Sequence, residues 1–178
     1  TARHHVLVGV HLPLGRPGGE DRAALTYVDP DVDFKKYDSL MFDRVSVWLS
    51  PEAENRDVDP AVFKKMSDYF LNALVKAVED SYTVVDQPGP NVIRVRAAIT
   101  DVEPSDPVAK ALSVDNIGTG GAEAEFELLD SMSSERLAAA VDSRRGGTSA
   151  SRDVWEDTKD AFDQWARRFR ERLDAARQ

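Results

Sequence analysis

Hydrophobic and polar residues alternate along several segments of the chain, which is the pattern of half-buried β-strands. The clearest alternation runs over residues 93–100, where Ile93 begins the apolar face and Arg94 the polar face. Similar alternation occurs over residues 40–49, 122–128 and 136–142, and residues 82–86 form a shorter strand-like segment. The pattern predicts a sheet whose apolar face is covered and whose polar face is open to water.

Two longer segments follow the 3.6-residue period of amphipathic helices. The first is predicted to begin at Pro60 and end near residue 80, because Asp59 is a good N-cap and proline suits the first helical position. The second is predicted over residues 151–176, where acidic residues precede basic ones and complement the helix dipole. Phe70 and Trp165 lie on the two apolar stripes, so we expect both side chains to be buried against the sheet.

The order of these elements predicts the fold class. A doubly wound fold needs strands that are apolar on both faces, and these strands are apolar on one. We therefore predict an α+β two-layer sandwich, with a mostly antiparallel sheet of four or five strands and two main helices on one face. A chain of 178 residues has the length of one domain. We expect an extended N-terminal arm over residues 1–36, rich in glycine and proline, and a single α/β domain over residues 37–178.

The distribution of histidine and cysteine excludes much of enzyme chemistry. The chain has no cysteine, and its histidines, His4, His5 and His11, all lie within the expected arm. The predicted domain therefore lacks the commonest general base, thiol nucleophile and transition-metal ligands. A metal site also needs ligands fixed by their surroundings, which a flexible terminal segment does not provide. We predict no catalytic residues, no metal site and no cofactor.

Four aspartates at or near the ends of predicted strands leave one alternative open: Asp43, Asp101, Asp130 and Asp142. Paired carboxylates perform acid–base chemistry in glycosidases when their separation is fixed. Aspartates at strand ends more often make turns. The alternative function is a small hydrolase or ligand-binding protein that uses these carboxylates. A deep pocket lined by two carboxylates with raised pKa values would favour it.

The net charge and the apolar segments constrain the partner and the location. A formal net charge of −9 repels phosphate backbones, so the composition argues against nucleic acid as a partner. No apolar segment approaches the roughly 20 residues that a transmembrane helix needs. Composition leaves two locations open, namely the cytoplasm or an exported protein whose targeting segment has been removed.

The polar face of the predicted sheet is the best candidate for a binding surface. Two arginines on one strand are expected opposite two of three glutamates on the next. Such cross-strand pairs contribute roughly 0.2–1 kcal/mol each to a sheet, so a purely structural role also explains them. A tryptophan projecting from the same face would be a natural anchor, because tryptophan is enriched at interface hot spots. The predicted partner-binding residues are Trp48, Arg94, Arg96, Glu123, Glu125 and Glu127.

Short motifs in a fixed order carry a family resemblance. They lie at residues 37–48, 82–90, 92–101, 125–130, 137–142 and 155–165, and together they extend over roughly residues 24–175. These segments resemble a family of bacterial lipoproteins known only as a domain of unknown function. The resemblance implies an exported, periplasmic protein that is anchored through a lipidated cysteine upstream of this sequence. It implies no catalytic residues.

Composition, pattern and resemblance together give one functional expectation. We expect a non-enzymatic cell-envelope domain that binds a macromolecular partner, either a protein or another component of the envelope. A misleading resemblance would place the chain in the cytoplasm instead.

Overall fold

The computed structural model describes residues 25–48, 59–104, 120–145 and 153–178, and it confirms the α+β two-layer fold. Two helices cover one face of a mixed sheet. The helices are α1 (Pro60–Val78) and α2 (Glu156–Ala176), and a 3-10 turn spans Phe34–Lys36. The strands are β1 (Leu25–Val28), β2 (Ser39–Phe42), β3 (Ser46–Val47), β4 (Thr83–Val84), β5 (Val92–Glu103), β6 (Gly121–Asp130) and β7 (Arg136–Arg145).

The sheet has seven strands in the described residues, in the order β1-β7-β6-β5-β2-β4, and β3 also pairs with β5. It is therefore wider than the four or five strands expected. Strands β5, β6 and β7 form an antiparallel meander, and β1 joins β7 in the antiparallel sense. On the other side of β5, strands β2, β3 and β4 pair in parallel. Parallel neighbours such as β2 and β4 need a crossover connection. Helix α1 lies in that connection, between β3 and β4 in the chain.

The prediction of one continuous strand over residues 40–49 is wrong for the described residues. The chain bends after Phe42 and forms two separate strands, β2 and β3. Phe42 faces the helices, with its ring centroid 6.1 Å from that of Phe169. Asp43 lies on the opposite face, where it accepts hydrogen bonds from Arg94. Val45 and the short strand β3 then return to the core. The bend allows apolar side chains on both sides of Asp43 to be buried while the carboxylate stays outside.

Helix α1 begins where its sequence signals predict. Pro60 is the first helical residue, and the Asp59 carboxylate accepts a hydrogen bond of 2.8 Å from the backbone N–H of Ala61. Helix α2 begins later than predicted, at Glu156, and residues 153–155 form a turn before it. Neither helix is long and apolar enough to cross a membrane.

One apolar core lies between the two helices and the sheet. Phe70 and Trp165 are 0% and 3% exposed, which confirms their predicted burial. A second, small cluster lies on the face away from the helices, which we call the uncovered face. It contains Ala98, Ala139 and Val141, with Tyr27 packed against it. The uncovered face is therefore not wholly polar.

The alternation in β7 predicted the right faces for Arg136 and Leu137 and the wrong faces for the residues that follow. Ala139 and Val141 were expected against the helices, but both lie on the uncovered face. Asp142 instead points toward α2, where it accepts a hydrogen bond of 2.8 Å from Nε1 of Trp165. Alanine occupies both faces of this strand, so apolar character alone does not distinguish them. The pairing of β7 with β6 shifts at Leu137, because Leu128 lies opposite Ala138 and Leu129 opposite Arg136. This irregularity moves the residues after Leu137 to the other face.

Part of the expected arm contributes to the sheet. Strand β1 pairs with β7 from Leu25, opposite Val141, to Val28, opposite Ala138. Residues 1–24, including the three histidines, lie outside the described residues. The division of the chain at residue 36 stays a prediction.

Asp130 organises the turn between β6 and β7. Its carboxylate accepts hydrogen bonds of 2.9 Å from the backbone N–H groups of Met132 and Ser133. The hydroxyl of Tyr37 donates a third bond of 2.8 Å to the same side chain. These donors, with the Ser133 N–H first among them, lower the pKa of Asp130 below its usual value. The carboxylate thus stabilises the folded state in its charged form.

We expect the stabilisation from the Asp130 charge to disappear at acidic pH. Because the pKa is lower in the folded protein, the stabilisation is fully present above the unfolded pKa of about 3.9 and is lost as pH falls through the folded value. Asp130→Asn should cost about 1 kcal/mol at pH 7 and less at pH 2. Urea denaturation at both pH values measures this difference, with Asp86→Asn, at an exposed position, as the control. A cost independent of pH would show that the charge is not involved.

Candidate functional site

Five charged side chains form a connected row on the uncovered face, and we call this row the arginine ladder. It consists of Arg94, Arg96 and Arg136 together with Asp43 and Glu127. At one end, Arg94 binds Asp43 in a bidentate manner, with Nε 2.9 Å from Oδ1 and a terminal nitrogen 2.8 Å from Oδ2. This contact raises the pKa of Arg94 above its usual value. The bidentate pair fixes the plane of the guanidinium as well as its position.

Glu127, on β6, holds arginines from the strands on both sides. Its Oε2 accepts a bond of 2.9 Å from Arg96 on β5, and its Oε1 accepts one of 2.8 Å from Nε of Arg136 on β7. Asp43 connects the two ends, since its Oδ2 lies 3.8 Å from Nε of Arg96. The Glu127 side chain is 4% exposed, whereas the three arginines are all partly exposed. The carboxylate is thus below the surface and the guanidinium groups are above it.

The register confirms one of the predicted cross-strand pairs and corrects the rest. Arg96 lies opposite Glu127, but Arg94 lies opposite Leu129 and takes Asp43 as its partner instead. The two other glutamates do not lie opposite arginines on β5. Glu123 is opposite Asp101 and accepts a hydrogen bond of 3.1 Å from the hydroxyl of Thr100, and Glu125 is opposite Ala98.

Burial also differs from the prediction. Glu125 and Glu127 are 2% and 3% exposed, although both were expected on a solvated face. The small apolar cluster explains the burial of Glu125, because its register partners Ala98 and Val141 belong to that cluster. The partner-binding role of the six predicted residues stays a prediction. Of the six, Trp48 is exposed, and Arg94, Arg96 and Glu123 are partly buried.

Trp48 is exposed near the same surface. It follows β3, its backbone N–H donates a bond of 2.8 Å to the carbonyl of Ile99, and it is 57% exposed. Ser46 pairs with Ala98 on the uncovered face, and alternation places Trp48 on that face too. Measured along the neighbouring strand β5, Trp48 lies four residues beyond Arg96. At 3.3 Å per residue the two positions are about 13 Å apart. One ordinary protein interface covers both positions.

Two members of the arginine ladder were absent from the predicted site. Asp43 was identified only as a strand-end carboxylate, and Arg136 only as a polar position in the alternation. The alternation contains the signal for Arg136, since polar residues of neighbouring strands share a face. The role of Asp43 has no such signal, because it depends on the bend after β2.

The strand-end carboxylates are engaged in separate parts of the fold. Asp43 binds Arg94, Asp130 organises the β6–β7 turn, and Asp142 accepts a bond from Trp165. The pKa of Asp130 is lowered, opposite to the raised value that the hydrolase alternative requires. In the parts of the chain that the structure describes, no group of three or more metal-ligating side chains is arranged to hold a metal ion.

Solved structures with a similar chain trace come from several bacteria. A PelC variant dodecamer from Paraburkholderia phytofirmans matches 80% of this chain and 92% of its own, at 12% identity and a TM-score of 0.49. Protein XCC0632 of family DUF330, from Xanthomonas campestris, matches 84% and 90% respectively, at 16% identity and a TM-score of 0.46. A DUF4136 family protein from Bacteroides thetaiotaomicron, BT2437, matches 85% and 95%, at 9% identity and a TM-score of 0.47.

Comparison at the level of sequence gives the family. No curated protein is significantly similar to the chain. A family model described as a protein of unknown function, DUF3313, matches residues 14–169, which include α1, the whole described sheet and the first two thirds of α2. The earlier resemblance to a domain of unknown function is confirmed, and the chain belongs to the DUF3313 family.

Proposed function

We propose that this protein is a non-enzymatic cell-envelope domain that binds an acidic surface of a protein partner through the arginine ladder and Trp48. One observation supports this proposal above others. Three arginines are held side by side by two carboxylates on the sheet face that the helices leave uncovered. Arginine and tryptophan are the residues that contribute most often to interface hot spots.

The side chains of the arginine ladder are already ordered before a partner binds. Ordering a long side chain on association costs roughly 0.5–1.5 kcal/mol, and the contacts to Asp43 and Glu127 reduce that cost in advance. A guanidinium has five N–H donors. Arg94 directs two donor atoms at Asp43, which leaves N–H groups available to carboxylates on another molecule.

Local charge favours an acidic partner although the whole chain is acidic. Three arginines against two carboxylates give the ladder a net charge of +1, in a protein whose formal net charge is −9. A small basic patch on an acidic surface orients an incoming acidic partner toward that patch. A long polyanion such as DNA would meet the repulsive remainder of the surface.

Location in the envelope is part of the proposal, and its support is the sequence resemblance to lipoproteins. The expected partner is therefore an envelope protein. Cytosolic and envelope fractions of the native organism, used side by side as sources of partners, test the location and the binding together.

We expect the double variant Arg94→Gln, Arg96→Gln to lose at least about 90% of partner capture, because each guanidinium in a hot spot contributes 1 kcal/mol or more. The double variant leaves the buried Glu127 carboxylate with one cationic partner, because Arg136 still binds it. Capture on immobilised protein from the envelope fraction, followed by mass spectrometry, measures the effect. Trp48→Ala should lose the same captured protein.

A matched control removes the same charge elsewhere. Lys65→Gln with Arg167→Gln changes two exposed cations on the helices, and it should capture the partner as well as the original protein does. Thermal unfolding of every variant shows whether the fold persists. Equal capture by the ladder variant, or capture only from the cytosolic fraction, would refute the proposal.

A further inference from the structure

The sheet is wider than the layer of helices that covers it. Six strands in sequence across the sheet, at about 4.8 Å each, place the outer strand axes about 24 Å apart. Two packed helices cover about 20 Å. The most extensive contacts of α2 with the sheet are with β6 and β7, so β1 lies toward the edge of the covered area. Val28, on β1, is consequently 58% exposed.

A cavity of about 120 Å³ lies in the angle between the C-terminal half of α2 and the β1 side of the sheet. Its walls are mostly apolar, and its mouth opens toward solvent. The apolar lining includes Val28, Phe34, Leu128, Ala140, Phe169 and Leu173. An apolar space of about 150 Å³ holds the six carbons of a benzene molecule, so this smaller cavity has room for about four or five carbons of a tail, and the rest would lie in its open mouth.

Arginines surround one side of this cavity. Arg168 and Arg172 line it, and both come from α2. Arg168 lies 3.5 Å from the carboxylate of Asp142, and Arg144 lies 3.4 Å from the same oxygen. Two guanidinium groups thus flank one carboxylate, and with Arg172 nearby the three arginines and Asp142 carry a net charge of +2.

Positive charge exceeds negative charge around Arg172, a residue that is exposed overall although part of its side chain lines the cavity. Burial lowers the pKa of Arg172, the positive charges of Arg168 and Arg144 lower it further, and Asp142 opposes them in part. Asp142 already accepts a hydrogen bond from Trp165 and contacts two other arginines. An anion at the cavity mouth would reduce the repulsion among the arginines.

We infer that the cavity binds a medium-chain fatty acid anion, with the tail against the apolar wall and the carboxylate at Arg168 and Arg172. An apolar chamber with guanidinium groups at one side matches an amphiphile of opposite charge. Asp142 is the single carboxylate among the described residues of the lining, so the pair needed by the hydrolase alternative is not assembled there. This site is separate from the arginine ladder and does not depend on the proposed partner.

Isothermal titration of the full chain with sodium octanoate tests the inference. Octanoate has about ten non-hydrogen atoms, and an efficiency per atom between those of tiny and drug-sized ligands predicts a dissociation constant of about 1 mM. Octanol, which lacks the charge, and acetate, which lacks the tail, should each bind at least tenfold more weakly. Octanol binding as tightly as octanoate, or octanoate binding no tighter than acetate, would overturn the inference.

Variants separate the two parts of the site. Arg172→Gln should weaken octanoate binding at least tenfold, whereas Arg167→Gln, an exposed position of α2 that does not line the cavity, should leave it unchanged. Ala140→Leu fills the chamber and should also abolish binding. Circular dichroism shows that each variant is folded. Binding unaffected by both Arg172→Gln and Ala140→Leu would place octanoate elsewhere and overturn the inference.

Discussion

Replacing Phe70 with alanine should lower the free energy of unfolding by about 3–5 kcal/mol, which is the usual cost of truncating a buried phenylalanine. The ring is fully buried. It stacks on Phe162 at a centroid distance of 4.5 Å and an interplanar angle of 14°. It also meets Phe126 edge-on at 5.6 Å and Trp165 at 5.7 Å. One side chain thus joins α1, α2 and the sheet, and three rings surround the space that its removal would leave.

Chemical denaturation of Phe63→Ala provides the control for this prediction. Phe63 is on the same helix and is only partly buried, so the same truncation should cost less than half as much. A loss below about 1 kcal/mol for Phe70→Ala would mean that the helix buries a different face or that the cavity collapses completely.

Replacing Asp142 with alanine should cost about 2–3 kcal/mol, which is large for a single polar side chain. The change removes the acceptor of the Trp165 N–H, a hydrogen bond between two buried side chains. It also removes the anion between Arg144 and Arg168. Because the site is buried, added salt should change this cost little.

A double-mutant cycle isolates the hydrogen bond. Trp165→Phe removes the N–H and keeps an aromatic ring, so Asp142→Ala should cost less in that background than in the original protein. Asp142→Asn keeps an acceptor and should lose about 1 kcal/mol. A cost for Asp142→Ala that is the same in both backgrounds would show that the bond to Trp165 contributes nothing.

Features that depend on a few neighbouring residues were predictable from the sequence. The start of α1 follows from Asp59 and Pro60, whose capping and steric preferences act within one turn. The burial of Phe70 and Trp165 follows from helical periodicity alone. The alternation over residues 93–100 predicted β5, because nearly every position of one face is apolar.

Features that depend on a distant partner were not predictable. The bend between β2 and β3 exposes Asp43 to Arg94, a residue 51 positions away. The faces of β7 depend on the irregular pairing with β6 at Leu137, and the hydrogen bond from Trp165 to Asp142 joins residues 23 positions apart. A pattern of period two is compatible with either face when alanine occupies both. Tertiary contacts therefore determine what local alternation leaves open.

The candidate site also has one part that was predictable from the sequence and another that was not. The sequence placed Arg96 opposite a glutamate, and Glu127 is that residue. It did not predict that the Glu127 carboxylate would be buried below two arginines from different strands. A buried charge needs partners, and one of the two partners comes from β7, whose pairing the sequence does not show. The third arginine, Arg136, becomes recognisable only once β7 is paired with β6.

The distribution of strand lengths across the sheet has a consequence for self-association. The three longest strands, β5, β6 and β7, are interior, whereas the described edges are the four-residue β1 and the two-residue β4. An edge strand offers unpaired backbone groups to which another chain can add, and short edges offer few of them. The described sheet thus protects its most β-prone segments from strand-by-strand polymerisation. At high concentration, growth of fibrils from the native fold would first require the loss of a flanking strand.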